Sequence, residues 1–88
     1  MRRDYTRRQG RGNLDMAETT VRSDLNAVVW KIEAAPGQVV NAGDTLIILE
    51  AMKMEIPVAA PRAGTVKAIL IKEQDEVAEG QPLAVLQF

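Results

Sequence analysis

The sequence predicts an all-β fold, a flattened eight-stranded barrel-sandwich hybrid of two four-stranded halves related by pseudo-two-fold symmetry. From Thr19 onward, short β-rich runs alternate with Gly, Pro, Asn and Asp, and no apolar period typical of a helix is present. These runs repeat once, without a gap, at an offset of 37 residues. Because each copy is too small to bury its own apolar face, we expect the two halves to pack against each other.

The repeat consists of matched apolar and glycine positions. The pairs are Val21 with Val58, Ala27 with Gly64, Val29 with Val66, Ile32 with Ile69, Val40 with Val77, Gly43 with Gly80, Leu46 with Leu83, Ile48 with Val85 and Leu49 with Leu86. They predict strands near residues 19–23, 27–33, 38–40, 45–50, 54–59, 64–70, 75–77 and 83–87.

Three residues predict details of this sheet structure. Gly43 and Gly80 stand between strands, and we expect both to supply the positive φ that a tight turn requires. Pro57 has no N–H to donate, so its strand is expected either to run along a sheet edge or to start its pairing after that residue.

Charge divides the chain into two parts. Residues 1–15 carry five arginines and two aspartates, a net charge of plus three, whereas residues 16–88 carry six basic and ten acidic side chains, a net charge of minus four. We expect residues 1–15 to be a disordered basic extension and residues 16–88 to be one folded domain. The extension is interpreted as dispensable, with Met16 as an alternative start, rather than as a basic arm.

The composition excludes most kinds of enzyme. The chain has no His and no Cys, which removes the usual general base, thiol nucleophile and zinc ligands, and its scattered acidic residues predict no metal site. Three aromatic residues give no stacking platform for nucleic acid. The absence of a long apolar run predicts a cytoplasmic protein without membrane contact. We therefore expect a non-catalytic, monomeric domain whose chemistry comes from a cofactor or partner.

The candidate functional site is Glu50-Ala51-Met52-Lys53-Met54, at the join of the two repeats. Extended runs on both sides predict a tight hairpin with Met52 and Lys53 at its tip. A lysine amine is mostly protonated at neutral pH, so its acylation requires an enzyme, and a turn tip gives that enzyme access. Methionine normally fills cores, and two methionines at a tip therefore indicate a surface that a partner covers.

This motif resembles the modification signature of biotin carboxyl carrier proteins, and the resemblance covers residues 19–88. It implies that a biotin protein ligase attaches biotin to Lys53, and that Met52, Met54, Ala51 and Glu50 flank the cofactor. The resemblance further implies that Lys53 carries a carboxyl group from a biotin carboxylase to a carboxyltransferase. The expected parent enzyme is an acetyl-CoA or other acyl-CoA carboxylase, as in fatty acid biosynthesis, with pyruvate and urea as open alternatives.

Some carriers of this family have an extra protruding segment in the first half. Here Ile32 to Val40 has the same length as Ile69 to Val77, which predicts a thumbless carrier. One glycine common in the family is replaced by Ala27. Trp30 aligns with Lys67, and its ring is expected to be either a partly exposed contact residue or a cover for the sandwich edge.

Two other functions fit the same sequence. A lipoyl domain would carry acyl groups in a 2-oxo acid dehydrogenase complex or in glycine cleavage, although that family usually has an acidic residue before the lysine and alanine after it. An unmodified structural sandwich module would leave Lys53 free. Glu50 and Glu55 likewise have two interpretations, solubility or steering toward a basic enzyme surface.

Overall fold

The computed structural model describes residues 17–88, which form eight β-strands close to the predicted positions. The strands are β1 (Glu18–Arg22), β2 (Ala27–Ile32), β3 (Val39–Val40), β4 (Thr45–Ala51), β5 (Met54–Ala59), β6 (Gly64–Ile69), β7 (Glu76–Val77) and β8 (Pro82–Gln87). Within this part of the chain no helix is long and apolar enough to cross a membrane. The predicted basic extension lies outside the described residues.

The strands form two four-stranded antiparallel sheets, in the orders β1-β8-β6-β3 and β5-β4-β2-β7. The repeat relates β1 to β5, β2 to β6, β3 to β7 and β4 to β8. Applying these replacements to the first order gives the second, which confirms the predicted pseudo-two-fold symmetry. Each sheet takes strands from both halves of the chain, so neither half completes a sheet alone.

The core lies between the two sheets. Six of its seven largest fully buried side chains form three matched pairs, Leu46 with Leu83, Leu49 with Leu86 and Val29 with Val66; the seventh is Ile47, whose match is the smaller Ala84. Burying a side chain of this size stabilises the folded state by about 1.5–3 kcal/mol. The central strands of both sheets are therefore held firmly, and the hairpin between β4 and β5 extends from this fixed base.

The predicted glycine turns also join the two halves. Gly43 has a φ of 91° and Gly80 a φ of 85°, both in the left-handed region. The Gly43 N–H donates to the Ala60 carbonyl at 2.9 Å, and the Gly80 N–H donates to the Ser23 carbonyl at 2.8 Å. Each turn thus bonds to the half to which it does not belong, and a substituted residue would strain this contact.

Matching bulges interrupt β2 and β6. The pairing register shifts between Val29 and Lys31 in β2 and between Val66 and Ala68 in β6, so the bulged residues are Trp30 and Lys67. These two residues are also aligned by the repeat. The connection between β2 and β3, residues 33–38, contains no added strand or helix and matches residues 70–75 in length, as predicted for a thumbless carrier.

Candidate functional site

The candidate site is the two-residue turn between β4 and β5. The final cross-strand pair is Ala51 with Met54, which leaves Met52 and Lys53 as the whole turn. Met52 has a φ of 53° and Lys53 a φ of 64°. Positive φ at both central residues is typical of a type I′ hairpin turn, whose usual residues are Asn and Gly. The structure therefore confirms the predicted hairpin with Lys53 at its tip.

This turn is strained, and the strands below it offset the strain. A left-handed conformation costs a residue with a side chain roughly 1–2 kcal/mol. β4 hydrogen-bonds to β5 on one side and to β2 on the other, and its Ile47 and Leu49 are fully buried. Because this register is fixed, the two-residue connection has little freedom to relax. Strain at two adjacent exposed residues points to a functional requirement for their side chains.

The side chains of the turn are accessible to an enzyme. Met52 is 93% exposed, Met54 is 64% exposed, and Lys53 is also exposed, whereas Ala51 is half-buried. No carboxylate of residues 17–88 lies within salt-bridge distance of the Lys53 amine. The geometry thus presents a primary amine with two apolar side chains beside it.

The other lysines differ in position. Lys31 lies in β2, Lys67 lies in β6, and Lys72 lies in the connection between β6 and β7. Lys53 is the only lysine in a two-residue hairpin turn among residues 17–88, which agrees with the position predicted for it.

Two carboxylates stand directly below the tip. Glu50 pairs with Glu55 across the hairpin, and both side chains are exposed. Like charges that face each other across two strands are destabilising, so this pair does not serve the stability of the hairpin. The sequence identified both residues as flanking charges, but it could not show that they face each other.

The site is a protrusion rather than a pocket. A groove of about 330 Å³ lies between the edge strands β1 and β5, and residues 50–54 are not among those that line it. Pro57 lies on β5, the edge strand, as its missing N–H predicted. A cofactor at the tip would be held by a covalent bond to a side chain, since the turn residues Met52 and Lys53 are exposed.

Comparison with protein families agrees with this geometry. A family model described as "Biotin-requiring enzyme" matches residues 15–86, most of the chain. The chain belongs to the biotin-requiring enzyme family. Attachment domains of this family bind biotin covalently, which supports the cofactor predicted from the motif.

Small proteins of similar length are among the relatives. The chain is 42% identical over 67 residues to the biotin/lipoyl attachment protein of Bacillus subtilis, which covers 76% of this chain and 92% of that protein. It is 39% identical over 71 residues to a biotinylated protein TB7.3 homolog of Mycobacterium leprae, covering 81% of this chain and 99% of the relative. Both relatives are therefore only slightly longer than the segment that this chain matches.

Large carboxylases contain a similar segment. The chain is 43% identical over 63 residues to pyruvate carboxylase of Aspergillus terreus, which covers 72% of this chain but only 5% of that enzyme. Among solved structures, a single-chain, multi-domain long-chain acyl-CoA carboxylase matches with a TM-score of 0.76 and 33% identity, over 86% of this chain and 8% of that one. Urea carboxylase of Kluyveromyces lactis matches with a TM-score of 0.77 and 37% identity, over 89% and 7% respectively.

Proposed function

We propose that this domain is a biotin carboxyl carrier in which Lys53 is the attachment residue. The observation that carries this proposal is the exposed, strained two-residue turn that presents Lys53 between Met52 and Met54. Once a ligase has activated the biotin carboxylate with ATP as an acyl-adenylate, releasing pyrophosphate, a deprotonated primary amine can displace AMP and form an amide. The exposed Lys53 side chain supplies such an amine. The proposed attachment point for biotin is therefore one side chain on a fixed hairpin.

The turn positions the arm, and the domain itself performs no catalysis. When bound, biotin supplies a ureido nitrogen that takes up and releases a carboxyl group. The four-carbon side chain of Lys53 gives reach and rotation, while the β4–β5 hairpin fixes the direction in which the arm leaves the domain. Tethering raises the local concentration of the carried group at each active site, and it prevents loss by diffusion.

Met52 and Met54 are proposed to form the apolar contact with the partner enzymes. Both are flexible and polarisable side chains, so the same pair can adapt to several enzyme surfaces. Ala51, which is half-buried below them, allows close approach of a partner to the turn backbone. The partners that fit this role are a biotin protein ligase, a biotin carboxylase and a carboxyltransferase.

The parent enzyme must also transfer the carboxyl group to an acceptor substrate. Acyl-CoA, pyruvate and urea carboxylases all contain similar domains. We propose an acyl-CoA carboxylase, acetyl-CoA carboxylase included, as the parent enzyme, with the carboxyltransferase rather than this domain selecting the acceptor. Purifying the biotinylated domain from its own cells under mild conditions and assaying the associated carboxyltransferase against acetyl-CoA, propionyl-CoA, pyruvate and urea tests this choice.

Intact mass spectrometry tests the carrier assignment. The domain is produced with a biotin protein ligase and biotin, and separately with a lipoyl ligase and lipoate. We expect a mass increase of one biotinyl group in the first sample, followed by uptake of radioactive bicarbonate label in the presence of biotin carboxylase and ATP. A lipoyl group instead would favour the acyl-transfer alternative, and an unchanged mass in both samples would favour an unmodified structural module.

A further inference from the structure

The sheet that carries Lys53 has an acidic row across its outer face. Glu55 pairs with Glu50, Glu50 with Val28, and Val28 with Glu76, so one line crosses β5, β4, β2 and β7. Side chains that are directly opposite point to the same face, and the next residue, Leu49, is fully buried. The row therefore faces away from the core and holds three carboxylates.

Trp30 lies beside this row because of the bulge in β2. Val29 and Ile32 both pack in the core, which leaves Trp30 and Lys31 pointing outward together. The indole is 42% exposed, and the Lys31 amine lies 5.8 Å from the ring centroid. A bulge here thus adds a large aromatic side chain to the outer face.

The equivalent row on the other sheet is built differently. It contains Glu18, Gln87, Thr65 and Val39, with Lys67 at the bulge. Lys67 forms an ion pair with Glu18, and this contact, with a hydrogen bond from Gln87, lowers the pKa of Glu18 below its usual value. The only carboxylate in this row is therefore balanced by a cation of the domain itself.

Residues 37 positions apart in the repeat occupy matching places on the two outer faces, so the two faces can be compared residue by residue. Trp30 replaces Lys67, Glu50 replaces Gln87, and Glu76 replaces Val39. Lys31 takes the place of Ala68, so the lysine-bearing sheet has two more carboxylates on this face and the same number of cations. Within residues 17–88, no group of three or more acidic residues is close enough to hold a metal ion. This excess of carboxylates is complementary to a basic partner surface, and aromatic anchors such as Trp30 are enriched at the centre of interfaces.

We propose that this outer face, with Trp30 as anchor and Glu76 as an outlying charge, is the docking surface for the biotin protein ligase. The ligase is expected to present basic side chains around an apolar recess for the indole. This inference rests on the proposed function, because it needs Lys53 to be the modified residue.

The geometry of the reaction identifies the ligase among the possible partners. In ligation the reacting atom is the Lys53 amine itself, so the enzyme must close over the turn and lie against the adjoining sheet. In the later carboxyl transfers the reacting atom is at the far end of the biotinyl arm, so the domain can lie further from the enzyme's active site. Trp30 lies opposite Ile48 and Leu49, roughly 10 Å along the strand from the turn, within reach of an enzyme engaged there.

Biotinylation kinetics with a biotin protein ligase, ATP and biotin test this surface. Trp30→Ala is compared with Lys67→Ala, which truncates the matching residue on the other sheet. A second variant combines Glu76→Val with Val39→Glu, which moves one carboxylate between matching positions and leaves the net charge unchanged. Thermal unfolding of each variant checks that it is folded.

We expect Trp30→Ala to raise KM about tenfold with little change in kcat, since it removes binding but no reacting group. The exchange variant should raise KM about threefold at low salt, and less at high salt, because charges near a surface are screened. Lys67→Ala should match the wild type. Unchanged KM in both test variants, or an equal rise in Lys67→Ala, would overturn the proposal, whereas a wild type that is not biotinylated would refute the proposed function itself.

Discussion

At the scale of single residues, the most informative feature is the conformation of Met52 and Lys53. Both adopt left-handed backbone angles that Asn and Gly adopt at lower energy. Neither Asn nor Gly could supply a primary amine or an apolar contact. The turn is therefore best understood as one in which side-chain chemistry has taken priority over backbone preference.

A first prediction separates recognition from stability at Met54. Met54→Ala removes an exposed side chain, so the free energy of unfolding should change by less than about 0.5 kcal/mol while biotinylation slows. Leu49→Ala, in the same hairpin but fully buried, should instead cost about 2–5 kcal/mol. Chemical denaturation and biotinylation rates measure the two effects, and a large loss of stability in Met54→Ala with a normal rate would show that Met54 supports the fold.

Among single residues, the motif and its position in the repeat predicted most of the site. Lys53 at the tip and the exposed methionines both agree with the sequence analysis. The role of Lys53 as the attachment residue stays a prediction. Glu76 was missed because its row depends on strand pairing, although its alignment with Val39 in the repeat was a usable signal.

At the scale of elements, the two halves differ at one close contact. A Cβ built on Gly64 would lie 2.4 Å from the Gln87 carbonyl oxygen, so β6 and β8 approach too closely for a side chain there. The matching residue of β2 is Ala27. The two halves therefore differ here: Gly64 lies against the Gln87 backbone, whereas Ala27 carries a Cβ at the matching position.

A second prediction follows from this contact. Gly64→Ala should destabilise the domain by about 1–3 kcal/mol, the usual cost of overpacking, because backbone atoms must move. Ala27→Gly, the converse change in the other half, should cost only about 0.5–1 kcal/mol through backbone entropy. Thermal unfolding of both variants measures the difference, and equal losses would show that the two contacts are equivalent.

Strand positions were predictable because the repeat shows each strand twice. Every strand lies within a residue or two of its predicted position, including the two-residue β3 and β7. The bulges at Trp30 and Lys67 were not predicted. They arise from pairing between strands distant in the chain, which local alternation of apolar and polar residues does not encode.

At the scale of the whole molecule, the halves are interleaved. The first and last described residues also meet, since Ala17 and Phe88 exchange backbone hydrogen bonds of 3.2 and 2.9 Å. Shifting Ala17 and Phe88 by the repeat offset gives Met54 and Ala51, the pair that closes the lysine hairpin. The position related by symmetry to the Lys53 turn thus lies where the described part of the chain starts and where it stops.

A third prediction concerns the freedom of the arm. Without an added segment between β2 and β3, few groups of the domain can reach a biotin on Lys53. Amide NMR shifts of the unmodified and biotinylated domains should therefore differ only around Glu50 to Glu55. Shifts that extend through Ala34 to Val40 would mean that the biotin docks on the first half of the domain.

The most direct measurement of the central claim is intact mass spectrometry and avidin binding of Lys53→Arg after exhaustive treatment with ligase, ATP and biotin. The substitution keeps the charge at an exposed position, so the fold should be retained, and Lys31→Arg serves as the matched control. We predict one biotinyl group on the wild type and on Lys31→Arg, and none on a folded Lys53→Arg. A biotinyl group on folded Lys53→Arg would contradict the assignment of Lys53 as the attachment residue.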